Sequence, residues 1–301
     1  MKVFRKIWQY KEVYLLLIPA MLWYLLFSYV PMGGLSLAFK TYKANLGILQ
    51  SPWSGLKNFQ KVFNDPWFMR SVLLTFKING GRLIITFPFA ILLALLMNEI
   101  RLGKAKKIFQ WIFTFPHFLS WVVIASIVTN VLAYDGMVNS LISMFGGGYY
   151  KFIGNEKFFT TLVFSTEIWK TAGWNSIIYM AAIAGIDMEQ YEAADIDGAS
   201  RLQKVFKITL PSIAPTIMIM FILATGNLMT TGFNQIFNLS NAAVRDVAQT
   251  LDMYIYTKTF RSVPDFGYST ALSLFRSVVN LFLLVCANTL SKKMGGSGLM
   301  G

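Results

Sequence analysis

The sequence predicts an all-α integral membrane protein with six transmembrane helices. Three observations carry that expectation: 55% of the 301 residues are hydrophobic, only 14% are charged, and six stretches approach the roughly 20 apolar residues that span a bilayer. A soluble domain carries about a quarter charged residues. With a mean hydropathy of +0.52, the apolar residues are too many for one core, so lipid must solvate much of the surface. The single cysteine, Cys286, and single histidine, His117, exclude an internal disulfide, a Cys/His zinc site and a bis-histidine haem.

The six expected spans are 13–38, 71–98, 108–133, 160–186, 212–232 and 267–291. Lys2, Arg5, Lys6 and Lys11 precede the first, as they would a secretory signal. Its apolar run to Phe39 exceeds the roughly 7–15 residues of a signal core, and no A-x-A site ends it, so it reads as a retained span. Lys77 and Arg82 interrupt the first half of the second, whereas Leu83–Met97 is strongly apolar. The third contains Pro116 and His117, read as a kink and a helix–helix hydrogen-bonding group. Pro88 and Pro211 read likewise as a kink or a helix start, and Cys286 in the sixth as a small packing residue.

With the N-terminus inside, the inner segments 1–12, 99–107, 187–211 and 292–301 hold 13 Lys/Arg in 56 residues. The outer segments 39–70, 134–159 and 233–266 hold nine in 92, the boundary residue Arg70 left out. The positive-inside rule therefore places both termini in the cytoplasm and accounts for the net charge of +13 without nucleic acid. The organisation is a cytoplasmic tail (1–12), a six-helix membrane domain (13–291) and a second cytoplasmic tail (292–301).

The loop between spans four and five is the most specific segment. Asp187, Glu189, Glu192, Asp195 and Asp197 precede Gly198, while Arg201, Lys204 and Lys207 follow it at three-residue spacing. Ala193 and Ala194 favour a helix, and Gly198 can adopt the left-handed conformation that ends one. The expected element is a helix–turn–helix elbow over 187–211, acidic before the turn and basic along one face after it.

Glu192-Ala193-Ala194, then Gly198 after three residues, then Ile208 and Leu210-Pro211, resembles the pattern E-A-A-x3-G-x9-I-x-L-P of permeases of binding-protein-dependent ABC importers. The resemblance covers essentially the whole chain. Leu56-Lys57-Asn58-Phe59 and the ending Ala287-Asn288-Thr289-Leu290-Ser291-Lys292-Lys293 resemble the carbohydrate branch, the maltose-type sugar permeases. The resemblance implies a type I importer permease fold in which the elbow is a coupling helix. Glu192, Ala193, Ala194, Asp195, Gly198, Leu210 and Pro211 would dock it to a nucleotide-binding subunit.

It also implies the partners: a second permease, a different homologous chain, two ABC ATPase subunits and an extracytoplasmic solute-binding protein. The location implied is the bacterial cell membrane. The chain holds no G-x-x-x-x-G-K-[ST] run; Gly146-Gly147-Gly148 is a flexible outer-loop segment without the Lys-Ser/Thr that cradles phosphate. No cofactor is expected on this chain, and ATP with Mg would reside on the partner ATPases. Neither catalytic residues nor metal ligands are expected.

Polar side chains at bilayer depth usually face a bundle interior or an aqueous path. Glu167, Lys170 and Trp174 share one face of span four, with Asn175 adjacent; Asn227, Thr230 or Thr231, and Asn234 follow in span five; Ser273, Arg276 and Asn280 share a face of span six. These, with the aromatic faces of Trp169, Trp174, Tyr179 and Phe233, are the expected lining of an oligosaccharide path. The plainer alternative is a Glu167–Lys170 pair within one helix, with amides gluing helices together. Arg276, with no acid at i±3 or i±4, either meets an acid such as Glu167 or holds an anionic substrate, and with Lys170 would favour uronate carboxylates.

Two other functions are compatible with six spans. An ion-coupled secondary carrier would use ionisable groups near the midplane, but the halves show no internal similarity. A membrane enzyme would need a nucleophile–base or metal cluster that the sequence lacks. An ABC permease for a solute other than a sugar is the remaining alternative.

Overall fold

The computed structural model describes residues 8–100 and 102–293. Residues 1–7 and 294–301, parts of the two expected tails, and Arg101 of the first inner segment lie outside the described residues. Among the described residues the fold is helical, with one isolated antiparallel bridge between Lys40 and Trp53. Among the described residues, four helices are long and apolar enough to cross a membrane: α1 (Lys11–Phe39), α3 (Pro66–Asn98), α9 (Arg201–Gly226) and α12 (Phe266–Lys293). Between α1 and α3 lies the short α2 (Lys57–Asn64).

The expected third span is broken. The segments α4 (Gly103–Phe118) and α5 (Trp121–Val131) meet at 101°. Phe115–Phe118 tightens into a 3-10 turn containing Pro116, and Ser120 caps α5 by accepting from the Val123 N–H, so the chain changes direction at Leu119. A short helix, α6 (Met137–Met144), follows. The expected fourth span is the unbroken α7 (Glu156–Ala184), 29 residues long. It is about 43 Å long at about 1.5 Å per residue, more than the hydrocarbon thickness of about 30 Å, but its apolar character is diluted by Glu167 and Lys170.

Prolines leave a repeated signature. In α1 a π-turn, Leu25–Tyr29, precedes Pro31, and in α9 another, Val205–Thr209, precedes Pro211. Proline lacks the N–H that would bond to the fourth carbonyl back and its ring clashes with that carbonyl, so the ladder widens instead of breaking. Pro211 therefore does not start a helix. The basic segment after the elbow and the fifth span form one continuous helix.

The chain divides into two units. The first is built from residues up to Pro66 and from Thr257–Phe275; the second from Trp67–Tyr256 and from Arg276 onward. In the first unit, Asn58 of the Leu56–Phe59 motif is buried, and its amide donates to the Ala38 and Lys40 carbonyls at 2.9 and 3.0 Å, closing the C-terminal end of α1. Gly267 lies against the same group, since a Cβ there would meet the Asn58 amide at 2.7 Å and the Lys40 carbonyl at 2.8 Å. Lys61 and Lys258 pair with Asp265 and Asp65 at 3.5 and 3.3 Å. None of the α-helical residues Lys11–Tyr24 is buried, and side chains such as Leu16 and Trp23 are exposed.

In the second unit α7 is the central element. One apolar cluster joins Ile78 of α3, Ala125 of α5 and Phe159, Leu162 and Val163 of α7 to Ile236 and Leu239; another joins Ala90 and Ala94 to Tyr179, Ile183 and Ile213. Gly173 brings α7 into backbone contact with the end of α4, where a Cβ would overlap the Phe113 carbonyl and lie 2.8 Å from the Thr114 nitrogen.

Candidate functional site

The elbow forms as the sequence predicts. Asp187 caps the helix α8 (Met188–Ile196) by accepting from the Glu189 N–H at 3.0 Å. Gly198, at φ +71°, ends it: the Ala199 N–H reaches the Ala194 carbonyl at 2.8 Å and the Gly198 N–H the Asp195 carbonyl at 3.1 Å, a Schellman closure. Ser200 then opens α9 with a reciprocal capping box to Gln203. Lys204 pairs with Asp195 at 2.6 Å and the Tyr191 hydroxyl bonds Thr209 at 2.8 Å, fixing the angle between the two helices.

The outward face of the elbow is unusual for a solvated loop. Glu192, Ala193, Asp195, Asp197 and Gly198 are exposed, as are the large apolar residues Met188, Ile196, Leu202 and Phe206, with Ile196 87% exposed. Acidic and large apolar side chains are thus exposed together on the elbow.

The second candidate region lies in the second unit at the depth of the spans. Helix α9 ends at Gly226; residues 227–232 turn through Gly232 at φ +93° into α10 (Phe233–Leu239). The fifth span therefore stops at Gly226, short of the expected residue 232, and the left-handed Gly232 turns the chain into α10. The unwound carbonyls are satisfied by Asn79 of α3, whose amide donates to Leu228 at 2.6 Å and Thr231 at 3.1 Å. Asn280 of α12 accepts from the Met229 N–H at 2.9 Å.

Beside this turn is a cavity of about 150 Å³ lined by Asn79, Arg82, Thr86, Glu167, Thr171 and Asn175, with Thr231 at its edge. A neighbouring cavity of about 250 Å³ shares Phe87, Asn175 and Ala224 with it and adds Tyr179 and Asn227. Of the expected path residues, Glu167, Asn175, Asn227, Thr231 and Tyr179 thus line one or the other cavity.

The others have different surroundings. Lys170 does not pair with Glu167: its ammonium donates to the His117 carbonyl at 2.7 Å and to the Leu119 carbonyl, filling the acceptors that the α4–α5 bend releases, and lies 5.5 Å above the Trp121 ring. Trp174 stacks on His117 at 4.4 Å. Asn234 is exposed and lines neither cavity. Arg276 pairs with Asp252 of α11 (Leu251–Tyr256), not with Glu167. Burial pushes the Asp252 carboxyl up, and Arg276 pulls it back. Glu167 instead faces Arg82 at 3.9 Å, and the Arg82 guanidinium donates to Gln235.

Sequence reasoning therefore missed Asn79, Arg82 and Gln235. Arg82 was visible as a charge within a span, but hydropathy does not distinguish it from Lys77, which is exposed while Arg82 is 5% exposed. Replacing Arg276 by Ala leaves the half-buried Asp252 without its cation, and the expected loss is roughly 2–4 kcal/mol. Thermal unfolding in detergent should show it, with Arg276→Met plus Asp252→Leu recovering most of the loss.

The fold thus combines several helices long and apolar enough to cross a membrane, a polar cavity among them and an exposed helix–turn–helix elbow, the parts of a transport subunit. The chain belongs to the family described as the binding-protein-dependent transport system inner membrane component, whose model matches residues 87–296. It is therefore a multi-pass membrane permease and not itself an enzyme, and this membership favours the importer over the secondary carrier. It is 43% identical over 98% of its length to the polygalacturonan/rhamnogalacturonan transport system permease protein YteP of Bacillus subtilis, covering 92% of that protein. To the protein LplB of the same organism it is 39% identical over 96% of its length, covering 91% of LplB. Among solved structures it is similar to a chain of a bacterial alginate ABC transporter in complex with an alginate pentasaccharide-bound periplasmic protein. The TM-score is 0.91 and the identity 33%, with 99% of this chain and 100% of that one covered.

Proposed function

We propose that this chain forms part of the translocation path of an ABC importer for oligosaccharides. It does so together with a second, homologous permease, two ATPase subunits that bind ATP and Mg, and an extracytoplasmic binding protein. The observation that carries the reading is the elbow. Its backbone is locked by a Schellman closure, a capping box and the Lys204–Asp195 pair, while Glu192, Gly198 and the apolar Met188 and Ile196 are left facing outward.

In this reading the bent pair α4–α5 is the third span and α7 the fourth, giving six spans with both termini cytoplasmic. The elbow over 187–211 is the coupling helix, with Glu192, Ala193, Ala194, Asp195 and Gly198 seated on the ATPase and Leu210-Pro211 joining it to the fifth span. Closure of the ATPase pair would move α8 as a rigid lever, and α9, continuous from Arg201 to Gly226, would carry that movement to the 227–232 turn beside the cavity. Hydroxyl-bearing substrates suit this cavity, which offers amide, hydroxyl and charged groups beside the aromatic faces of Phe87 and Tyr179. The polysaccharide-linked relatives favour a sugar over another solute. The test is uptake by the assembled complex in proteoliposomes, which should require ATP inside and the loaded binding protein outside.

A further inference from the structure

Arg82 is the central residue of the 33-residue apolar helix α3, where a charge is costly unless it is satisfied or used. A guanidinium has five N–H donors in a fixed plane. In Arg82 one terminal nitrogen, Nη2, donates to Gln235 and lies 3.9 Å from a Glu167 oxygen, too far for a hydrogen bond. The Nε and Nη1 groups are buried with no acceptor, and so is the Asn79 Oδ1 atom beside them.

The surroundings are built for this side chain. Gln235 is fully buried and held by the Val163 carbonyl at 2.7 Å and the Thr166 hydroxyl at 2.9 Å, so its oxygen is aimed at Arg82. Gly232 leaves the space that Nη1 occupies, since any Cβ there would overlap the guanidinium. Arg82 and Glu167 both line the cavity of about 150 Å³. Lys170 and Arg276, the cations expected on the path, are engaged elsewhere, Lys170 by carbonyls and Arg276 by Asp252.

We propose that Arg82 binds a carboxylate of the passing substrate, with Glu167 as the internal counter-ion that balances it while the path is empty. The substrate would then be a uronate-bearing oligosaccharide, and the selecting cation is Arg82, not Lys170 or Arg276. A carboxylate entering the cavity supplies the acceptor that Nε and Nη1 lack, and Asn79 Oδ1 accepts from a neighbouring sugar hydroxyl. A neutral sugar leaves the donors unpaired. This inference rests on the oligosaccharide reading above.

The test compares uptake of trigalacturonate and of its fully methyl-esterified form by the assembled importer with its binding protein, in the wild type, Arg82→Gln, Arg82→Lys and Glu167→Gln. The wild type should prefer the free acid. Arg82→Gln should lower free-acid uptake about tenfold or more with ester uptake changed less than about twofold, the size of a lost charge-assisted hydrogen bond. Arg82→Lys and Glu167→Gln should each retain the preference for the acid. Equal losses for acid and ester in both Arg82 variants would mean a purely structural role and overturn the proposal. A wild type that carries both forms equally would overturn it while leaving the oligosaccharide reading intact. A wild type that carries no sugar while the complex still hydrolyses ATP would overturn that reading, and the proposal with it.

Discussion

Glu192→Ala should lower coupled uptake about tenfold or more, the effect of removing one member of a charged contact between proteins, with insertion and yield unchanged. Glu192 is exposed, and no side-chain hydrogen bond or ion pair among the described residues holds it, so its removal costs the isolated chain little. Gly198 separates shape from charge. No atom lies within 4 Å of a Cβ built there, so the cost of substitution is conformational. At φ +71° valine is strongly disfavoured, by roughly 1–2 kcal/mol or more, whereas asparagine tolerates this region. Gly198→Val should uncouple ATP hydrolysis from uptake and Gly198→Asn should largely retain coupling. Binding of each variant to the ATPase subunits in detergent, measured beside uptake, separates lost docking from misfolding.

Gly173→Ala should prevent a stable fold. The added methyl would meet the Phe113 backbone and the Thr114 nitrogen, not a flexible side-chain tip, so α7 and α4 must separate. Small residues let membrane helices approach this closely because packing, not hydrophobicity, drives their association in lipid. Overpacking against backbone should cost about 3 kcal/mol or more. The movement would also draw Lys170, three residues before Gly173 on the same helix, away from the His117 and Leu119 carbonyls. The contrast is Gly80→Ala on α3, where nothing lies within 4 Å of the new Cβ. Yield of monodisperse protein and its unfolding temperature should fall for Gly173→Ala and hold for Gly80→Ala.

What could be read from the sequence was what is encoded locally. The elbow is set by Asp187, Gly198 and Ser200 acting on their immediate neighbours, so a helix around Ala193 and Ala194, a turn at Gly198 and a second helix after it are legible in the sequence. Four of the expected spans coincide with helices long and apolar enough to cross a membrane, because hydropathy is read from each stretch by itself.

The rest depends on contacts far apart in sequence. Lys170 could be recognised as a buried cation, but its acceptors are carbonyls released by a bend more than fifty residues earlier. Pro116 reads as a kink, but the continuous apolar stretch over 108–133 does not show that the chain turns through 101° there, with Ser120 capping a new helix. The 227–232 turn was read as membrane helix because Leu228, Met229 and their neighbours are apolar; Asn79, 149 residues from Leu228, makes the unwinding affordable. Arg82 and Glu167 were each visible, and their pairing was not, because periodicity relates residues along one helix and says nothing about which helices face each other.

The central claim is that this permease is driven by ATP through the elbow. Proteoliposomes holding the chain with its partner permease and ATPases, with binding protein and labelled trigalacturonate outside, provide the direct measurement. Accumulation should require enclosed ATP, persist when proton and sodium gradients are collapsed, and be lost with Glu192→Ala. Accumulation by the chain alone, without ATP and driven by an ion gradient, would contradict the account.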